Sequence, residues 1–311
     1  MSGVDVVVVG SSNMDVFFYT DRMPEPGETV LGDAYRMVMG GKGANQAVAS
    51  RLLGAEVTLV GRVGDDLFGR RMLDNFSSHG IACEHIRVDK EADSGVALIL
   101  VDRQAENSIV VVPGANMRIT PSDVEGAADK LRAADVLLMQ LEIPLDAIQR
   151  AVDIAHKGDN TLCVLNPAPA RPLPDRILKK VHLLTPNQGE ARALTDIATD
   201  TLEGAEAAGQ MLLDKGVQTV IITLGAQGAL IVRPDQTLHV GGVRVDALDT
   251  TGAGDAFMGG LAVALAEGQT LEEATHFANV VGALSTQKPG AMPSLPTRDE
   301  VEAFARTLSA K

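Results

Sequence analysis

Apolar positions along the chain follow two alternating patterns. Short unbroken runs rich in Val, Ile and Leu recur: "VDVVVVG" (4–10), "EVTLVG" (56–61), "ADVLLMQL" (134–141), "NTLCVLN" (160–166), "VHLLTPN" (181–187) and "VQTVIITLG" (217–225). A run of strand length with little polar alternation reads as a strand buried on both faces, as in a parallel sheet. Between most of them lie stretches with helical spacing, such as "ANQAVASRLLG" (44–54), "LDAIQRAVDIAHKG" (145–158) and "AEAAGQMLLDKG" (205–216). Each of these closes on a glycine suited to a helix C-terminus. Alternating strands and helices predict an α/β fold: a mostly parallel central sheet with helices on both sides, a three-layer sandwich.

Two segments break the rhythm. Residues 14–40 hold a Pro/Gly turn between strand-like pieces, and residues 94–112, "SGVALILVDRQAENSIVVV", read as a hairpin with a polar tip. These antiparallel pieces have no place in a doubly wound sheet, and together predict a small β-sheet projecting as a lid. The expected organisation is an α/β domain of residues 1–13, 41–93 and 113–311, with a lid from 14–40 and 94–112.

Composition narrows the function. The formal net charge of −14, with 3% aromatic residues and no Trp, argues against a nucleic-acid surface, which needs basic patches or stacking rings. The opening run is strand-sized and carries an acid, Asp5, where a signal peptide would be basic, and no stretch is long enough to span a bilayer, so the expectation is a cytoplasmic protein. Cys83 and Cys163 are far apart with no CxxC, and neither is expected to be catalytic or disulfide-bonded.

Ligands of open α/β sheets bind beyond the carboxyl ends of the strands. Six polar clusters stand at such ends: "GSSNMD" (10–15), "QLE" (140–142), "NPAPA" (166–170), "TPNQGE" (185–190), "TLGAQG" (223–228) and "DTTGAGD" (249–255). In the last, Gly252, Ala253 and Gly254 carry almost no side chain where a helix begins, so their N–H groups suit an anion. Asp255 is either a cap of that helix or a functional acid, with Asp249 six residues before it. "GGKGANQA" (40–47) sets glycines around Lys42 and opens a helix at Asn45, yet it is neither a phosphate P-loop nor a GxGxxG fingerprint. Asn187 and Glu190, three apart, suit either the water shell of Mg²⁺ or an ordinary helix cap. Asn13 and Asp15 share one side of an extended segment and can bind adjacent hydroxyls or merely solvate a loop. Glu142 is equally open.

Taken jointly, "GGKGANQA" and "DTTGAGD" resemble the two signature motifs of the ribokinase-like (PfkB) family of carbohydrate kinases. "GSSNMD", "MPEPGETV", "QLE", "NPAPA", "TPNQGE" and "ITLGAQG" appear in that family's order, so the resemblance spans nearly the whole chain. It implies ATP-dependent phosphorylation of D-ribose at the 5-hydroxyl, with Asp255 as general base and the N–H groups of 252–254 as an anion hole. Asn13, Asp15, Gly41, Lys42, Gly43, Asn45 and Glu142 match sugar-contacting positions, as does Asp255. Asn187 and Glu190 match nucleotide and Mg²⁺-water positions. Thr223, Leu224, Gly225, Ala226, Gln227 and Gly228 match the nucleotide cleft beside Gly254, with Asn279 near the base. The resemblance also implies K⁺, held by Asp249, Thr251, Ser285, Lys288, Gly290 and Ser294. Here "KPGAM" replaces the commoner "RKGAQ", which puts Pro289 in the cation loop. Pairing of two lids into a homodimer is implied as well.

The alternatives are a family member acting on 2-deoxyribose or fructose, a non-catalytic sugar-binding protein, and a dinucleotide enzyme. Asn13 favours ribose, since deoxyribose-preferring relatives tend to be apolar there. An intact Asp255 speaks against a non-catalytic protein, and the missing GxGxxG against a dinucleotide enzyme.

Overall fold

The computed structural model describes residues 3–104, 106–158 and 160–309; Ala105 of the expected lid, and Met1, Ser2, Asp159, Ala310 and Lys311 of the expected main domain, lie outside them. The strands are β1 (Asp5–Val9), β2 (Asn13–Thr20), β3 (Gly32–Gly40), β4 (Glu56–Gly64), β5 (Ile86–Asp89), β6 (Gly95–Val101) and β7 (Asn107–Val112). They continue as β8 (Val136–Met139), β9 (Leu162–Leu165), β10 (Leu183–Leu184), β11 (Thr219–Thr223), β12 (Gly228–Val232) and β13 (Thr237–Gly241). Nine of them form one sheet in the order β13-β12-β11-β10-β9-β8-β1-β4-β5. Pairing is parallel from β11 across to β5 and antiparallel at the β12–β13 edge.

β1 shows why the valine run makes a central strand. Val6 and Val8 join the core on one face of the sheet, and Val7 and Val9 join the core on the other. All four are at most 3% exposed, so period-two alternation separates two apolar layers rather than core from solvent. One layer is filled by the helices 42–52, 253–266 and 271–285, and the other by 145–155 and 202–214.

The second sheet has the order β3-β2-β6-β7. It departs from the antiparallel expectation at one seam, because β2 and β6 run parallel, Asn13 opposite Gly95. That pairing follows from both strands continuing from the carboxyl ends of parallel strands, β2 after β1 and β6 after β5. The run at 181–187 also forms a shorter strand than expected: Pro186 lacks the N–H a longer ladder needs, and only Leu183–Leu184 pair. No helix among the described residues is long and apolar enough to cross a membrane.

Candidate active site

The helix Ala253–Ala266 carries the key acid. Its N-cap is Gly252 with φ +78°, and Asp255 stands in the first turn. A Cβ on Gly252 would lie 2.7 Å from Ala291 Cα, so both the backbone angle and the neighbour demand glycine. Asp255 does not cap its own helix. Its carboxylate accepts from Asn45 Nδ2 at 2.8 Å and Gln46 Nε2 at 3.0 Å, both from the helix Lys42–Leu52. The two glycine-rich segments, over two hundred residues apart in sequence, are thus tied to each other through one buried carboxylate.

Gln46 is held in turn: Gln140 Nε2 donates to its Oε1 at 2.6 Å, while its own Nε2 also reaches Asn166 Oδ1 at 3.3 Å. Glu142 closes the other side, accepting from Lys42 N at 3.0 Å and from the Ser11 hydroxyl. Lys42 turns its side chain into a cavity of about 170 Å³ lined also by Asn166, Thr185, Asn187, Glu190, Gly254 and Asp255.

The electrostatics of this cavity are unbalanced. Burial raises the Asp255 pKa, and Lys42, Asn45 and Gln46 only partly offset that. Burial, then Glu142 and Asp255, push Asp15 from 3.8 up to about 7. Desolvation pulls the Lys42 ammonium down, yet Asp255, Glu142, Glu190 and Asp15 together outweigh it and hold it above its usual value. Glu190 is raised by burial as well. One cation therefore faces four acids.

A wider cleft of about 580 Å³ adjoins the polar cavity and shares Thr223, Gly254 and Phe257 with it. Gly225, Ala226, Gly228, Val243, Ala283 and Asn279 are among its walls. Two expected members face elsewhere: Leu224 is buried in the core, 5% exposed, and Gln227 is exposed but does not line the cleft. Asn279 lines it, but its amide donates to the carbonyls of Val240 and Gly241, at 3.3 and 3.2 Å, fastening the end of β13.

Asn13 is buried and lines neither cavity; Asn116 Nδ2 donates to its Oδ1 at 2.8 Å, and its own NH₂ group has no protein partner among the described residues. Asn116 also grips the Ser12 backbone in both directions. Gly41 lies against Asn13 and Ser12 with φ +88°, where any Cβ would collide with their backbone. Gly43 is packed on Gly10 and Ser11 as a spacer, away from the cavity lining.

Asn187 and Glu190 form a complete capping box for the helix Gln188–Thr195, each side chain accepting from the other's N–H at 2.8 Å. The cap and the cavity wall are the same residues. Asp249 accepts from Thr251 N at 2.9 Å and Gly290 N at 2.7 Å, so it joins the 249–251 turn to the 288–290 loop and is held below its ordinary pKa despite partial burial. Ser285 and Ser294 are buried, with hydroxyls donated to Gly282 and Ala291 carbonyls, while Lys288 turns outward to Glu300.

Sequence reasoning had not singled out Gln46, Gln140, Asn166, Thr185 or Asn116. All but Asn116 sit inside or beside flagged clusters, so an amide adjoining a strand-end motif was the available signal. The stretch 243–247, another wall of the wide cleft, carried none.

The first turn of the helix sets an acid in the wall of a polar cavity beside a second cleft, with the Ala253 N–H donated to the Thr250 carbonyl at 3.2 Å and those of Gly252 and Gly254 without a protein partner among the described residues, an arrangement suited to a small-molecule group-transfer enzyme. The chain belongs to the pfkB family of carbohydrate kinases, whose description matches residues 4–298. It is similar to a ribokinase of Haemophilus influenzae, 40% identical over 299 residues covering 96% of this chain and 97% of that one. It is also similar to a deoxyribokinase of Salmonella typhi, 37% identical over 307 residues covering 98% and 99% respectively. A solved Arabidopsis thaliana ribokinase complexed with ribose and ATP superposes with a TM-score of 0.91 at 30% identity, covering 98% of this chain and 99% of that one.

Proposed function

We propose that the protein transfers the γ-phosphoryl group of ATP to the 5-hydroxyl of D-ribose. The observation that carries this reading is the junction of the two cavities at Gly254, one residue before Asp255. A sugar in the polar cavity and a nucleotide in the wide cleft would meet at the acid and the helix N-terminus.

Asp255, held by two amides, takes the proton of the hydroxyl as it attacks. A buried carboxylate with a raised pKa is a stronger base than a solvated one. The N–H groups of Gly252 and Gly254, joined by that of Ala253 once it leaves the Thr250 carbonyl, stabilise the charge that spreads over the transferring phosphoryl, and Lys42 offsets the acids around it. Asn45 Oδ1, Ser12 Oγ and Thr185 Oγ1 are buried without a protein partner among the described residues, which suits a polyhydroxyl ligand. Asn13 presents its amide toward the sugar and favours ribose over 2-deoxyribose.

Glu190 fits Mg²⁺ only through water, because one oxygen is taken by the cap. When bound there, Mg²⁺ would neutralise phosphate charge. The ionised Asp249 fits the anchor of a K⁺ site, with Thr251 and Gly290 adjoining; Lys288, Ser285 and Ser294 offer backbone rather than free side-chain groups to it. The small sheet would act as a lid that excludes water, the competing phosphoryl acceptor. Its β7 presents Ile109, Val110, Val111 and Val112 at 53–61% exposure, which supports pairing of two such sheets in a homodimer.

The test is ADP release coupled to a reporter reaction, with ribose, 2-deoxyribose, fructose and adenosine offered separately. The highest kcat/KM is expected with ribose; preference for another acceptor would replace the substrate assignment.

A further inference from the structure

At the opposite end of the sheet from the cleft, three metal-ligating side chains converge. Cys163 lies near the start of β9, His182 immediately precedes β10, and His156 follows the helix Leu145–Ala155. One potential ligand atom from each lies within 4.8 Å of the others. We propose that His156, Cys163 and His182 form a binding site for a borderline-soft transition-metal ion, with Zn²⁺ the best match to an N,N,S donor set.

One lone pair is already sorted. His156 Nε2 lies 2.8 Å or less from a carbonyl, that of Lys180 at 2.7 Å, so it carries the proton and leaves Nδ1 as the ligand. Fixing a ligating imidazole through its other nitrogen is the usual arrangement around a bound metal. His182 Nδ1 accepts from the peptide N–H of Cys163 at 2.8 Å, so this lone pair is engaged in the metal-free chain and has to be released to an ion. The rings stack with centroids 5.0 Å apart. An ion at ordinary Zn–S and Zn–N lengths would bring these donors to about 3.5–4 Å of one another, a contraction that the exposed His156 can supply. A cavity of about 210 Å³ beside both histidines, walled by Asn160, Thr161 and Gly158, leaves room for a water as fourth ligand. His156 also stands at a helix C-terminus, where the backbone dipole favours a cation.

Two adjustments accompany binding. Burial pushes the Cys163 thiol up to about 12, so the ion must displace its proton to solvent as the S–metal bond forms. His182 Nδ1 must also exchange the Cys163 N–H for the ion.

The experiment strips the full chain with a chelator and titrates it with Co²⁺, whose absorption reports ligand type. A thiolate-to-cobalt charge-transfer band with strong tetrahedral visible bands is expected, displaced by Zn²⁺. Cys163→Ser should abolish the charge-transfer band, and Cys83→Ser should leave it intact. Because Cys163 is a core residue, His156→Ala at the exposed position is the second variant. It should weaken binding by about tenfold or more while the melting temperature of the metal-free chain stays unchanged. Faint octahedral absorption alone, a band surviving Cys163→Ser, a band lost in Cys83→Ser, or unchanged affinity in His156→Ala would each overturn the site.

Discussion

The polar cavity and the wide cleft meet along Thr223, Gly254 and Phe257, yet they are built in opposite ways. The first is walled by polar side chains, Asp255, Lys42, Asn166, Asn187 and Glu190 among them, and hydrogen bonds from behind fix two of these: Asn45 and Gln46 hold the Asp255 carboxylate, and Glu142 holds the Lys42 backbone N–H. The second is made largely of backbone and small residues such as Gly225, Ala226, Gly228 and Ala283. A cavity of interlocked charges selects by chemistry and is sensitive to single atoms. A cleft of bare backbone selects by shape and tolerates change until its volume is filled. Substitutions in the two regions should therefore separate kcat from KM.

The largest effect is expected at the acid. Asp255→Asn keeps the volume but removes the base and sets its own NH₂ against one of the two amide donors, and kcat should fall by about 10²–10⁴ while ADP affinity, read by calorimetry, stays near wild type. Comparable turnover would break the distinction between the regions. Next, Asn13→Met should cost about 1–3 kcal/mol in ribose discrimination, seen as a drop in the ribose to 2-deoxyribose ratio of kcat/KM. In the wide cleft, Ala283→Phe should raise the KM for ATP about tenfold and leave the KM for ribose unchanged, since overfilling costs about 1–3 kcal/mol. Asp249→Ala should shrink the difference in rate between K⁺ and Na⁺ buffers by several-fold or less, leaving ribose affinity intact.

The smallest effect concerns stability. Asp15 is raised from 3.8 to about 7, so the folded state holds a proton that the unfolded chain has already lost between those values. The ligand-free protein should lose stability as pH rises from about 4 through 7. Asp15→Asn should remove that loss and melt higher at pH 8, with little gain at pH 4. An unchanged pH profile would mean Asp15 is not crowded by Glu142 and Asp255.

The parallel core was legible because "VDVVVVG" and its counterparts leave only one physical solution, burial on both faces. The β12–β13 edge went unread, although "RPDQ" marks its turn, because its strands add to the sheet antiparallel and without a helix between them. In the site, spacing exposed strand-end polar clusters but not their partners. Whether Asp255 capped its helix or turned toward Asn45 and Gln46 depends on how helices 42–52 and 253–266 pack, which no local pattern encodes. Asn187 and Glu190 show the opposite case: the box that fixes the helix also lines the cavity, so the cap does not compete with the functional reading. Leu224 and Gln227 sat in a matching motif, but one side chain turns into the core and the other lies outside the cleft.

The central claim, that Asp255 is the base for a sugar hydroxyl at the junction of the two cavities, is tested most directly by a crystal structure with ribose and ADP bound. The ribose 5-hydroxyl is expected within about 2.6–3.2 Å of an Asp255 carboxylate oxygen, and ADP along Gly225–Gly228 and Ala283. A sugar bound in the wide cleft, or one with its 5-hydroxyl turned away from Asp255, would contradict it.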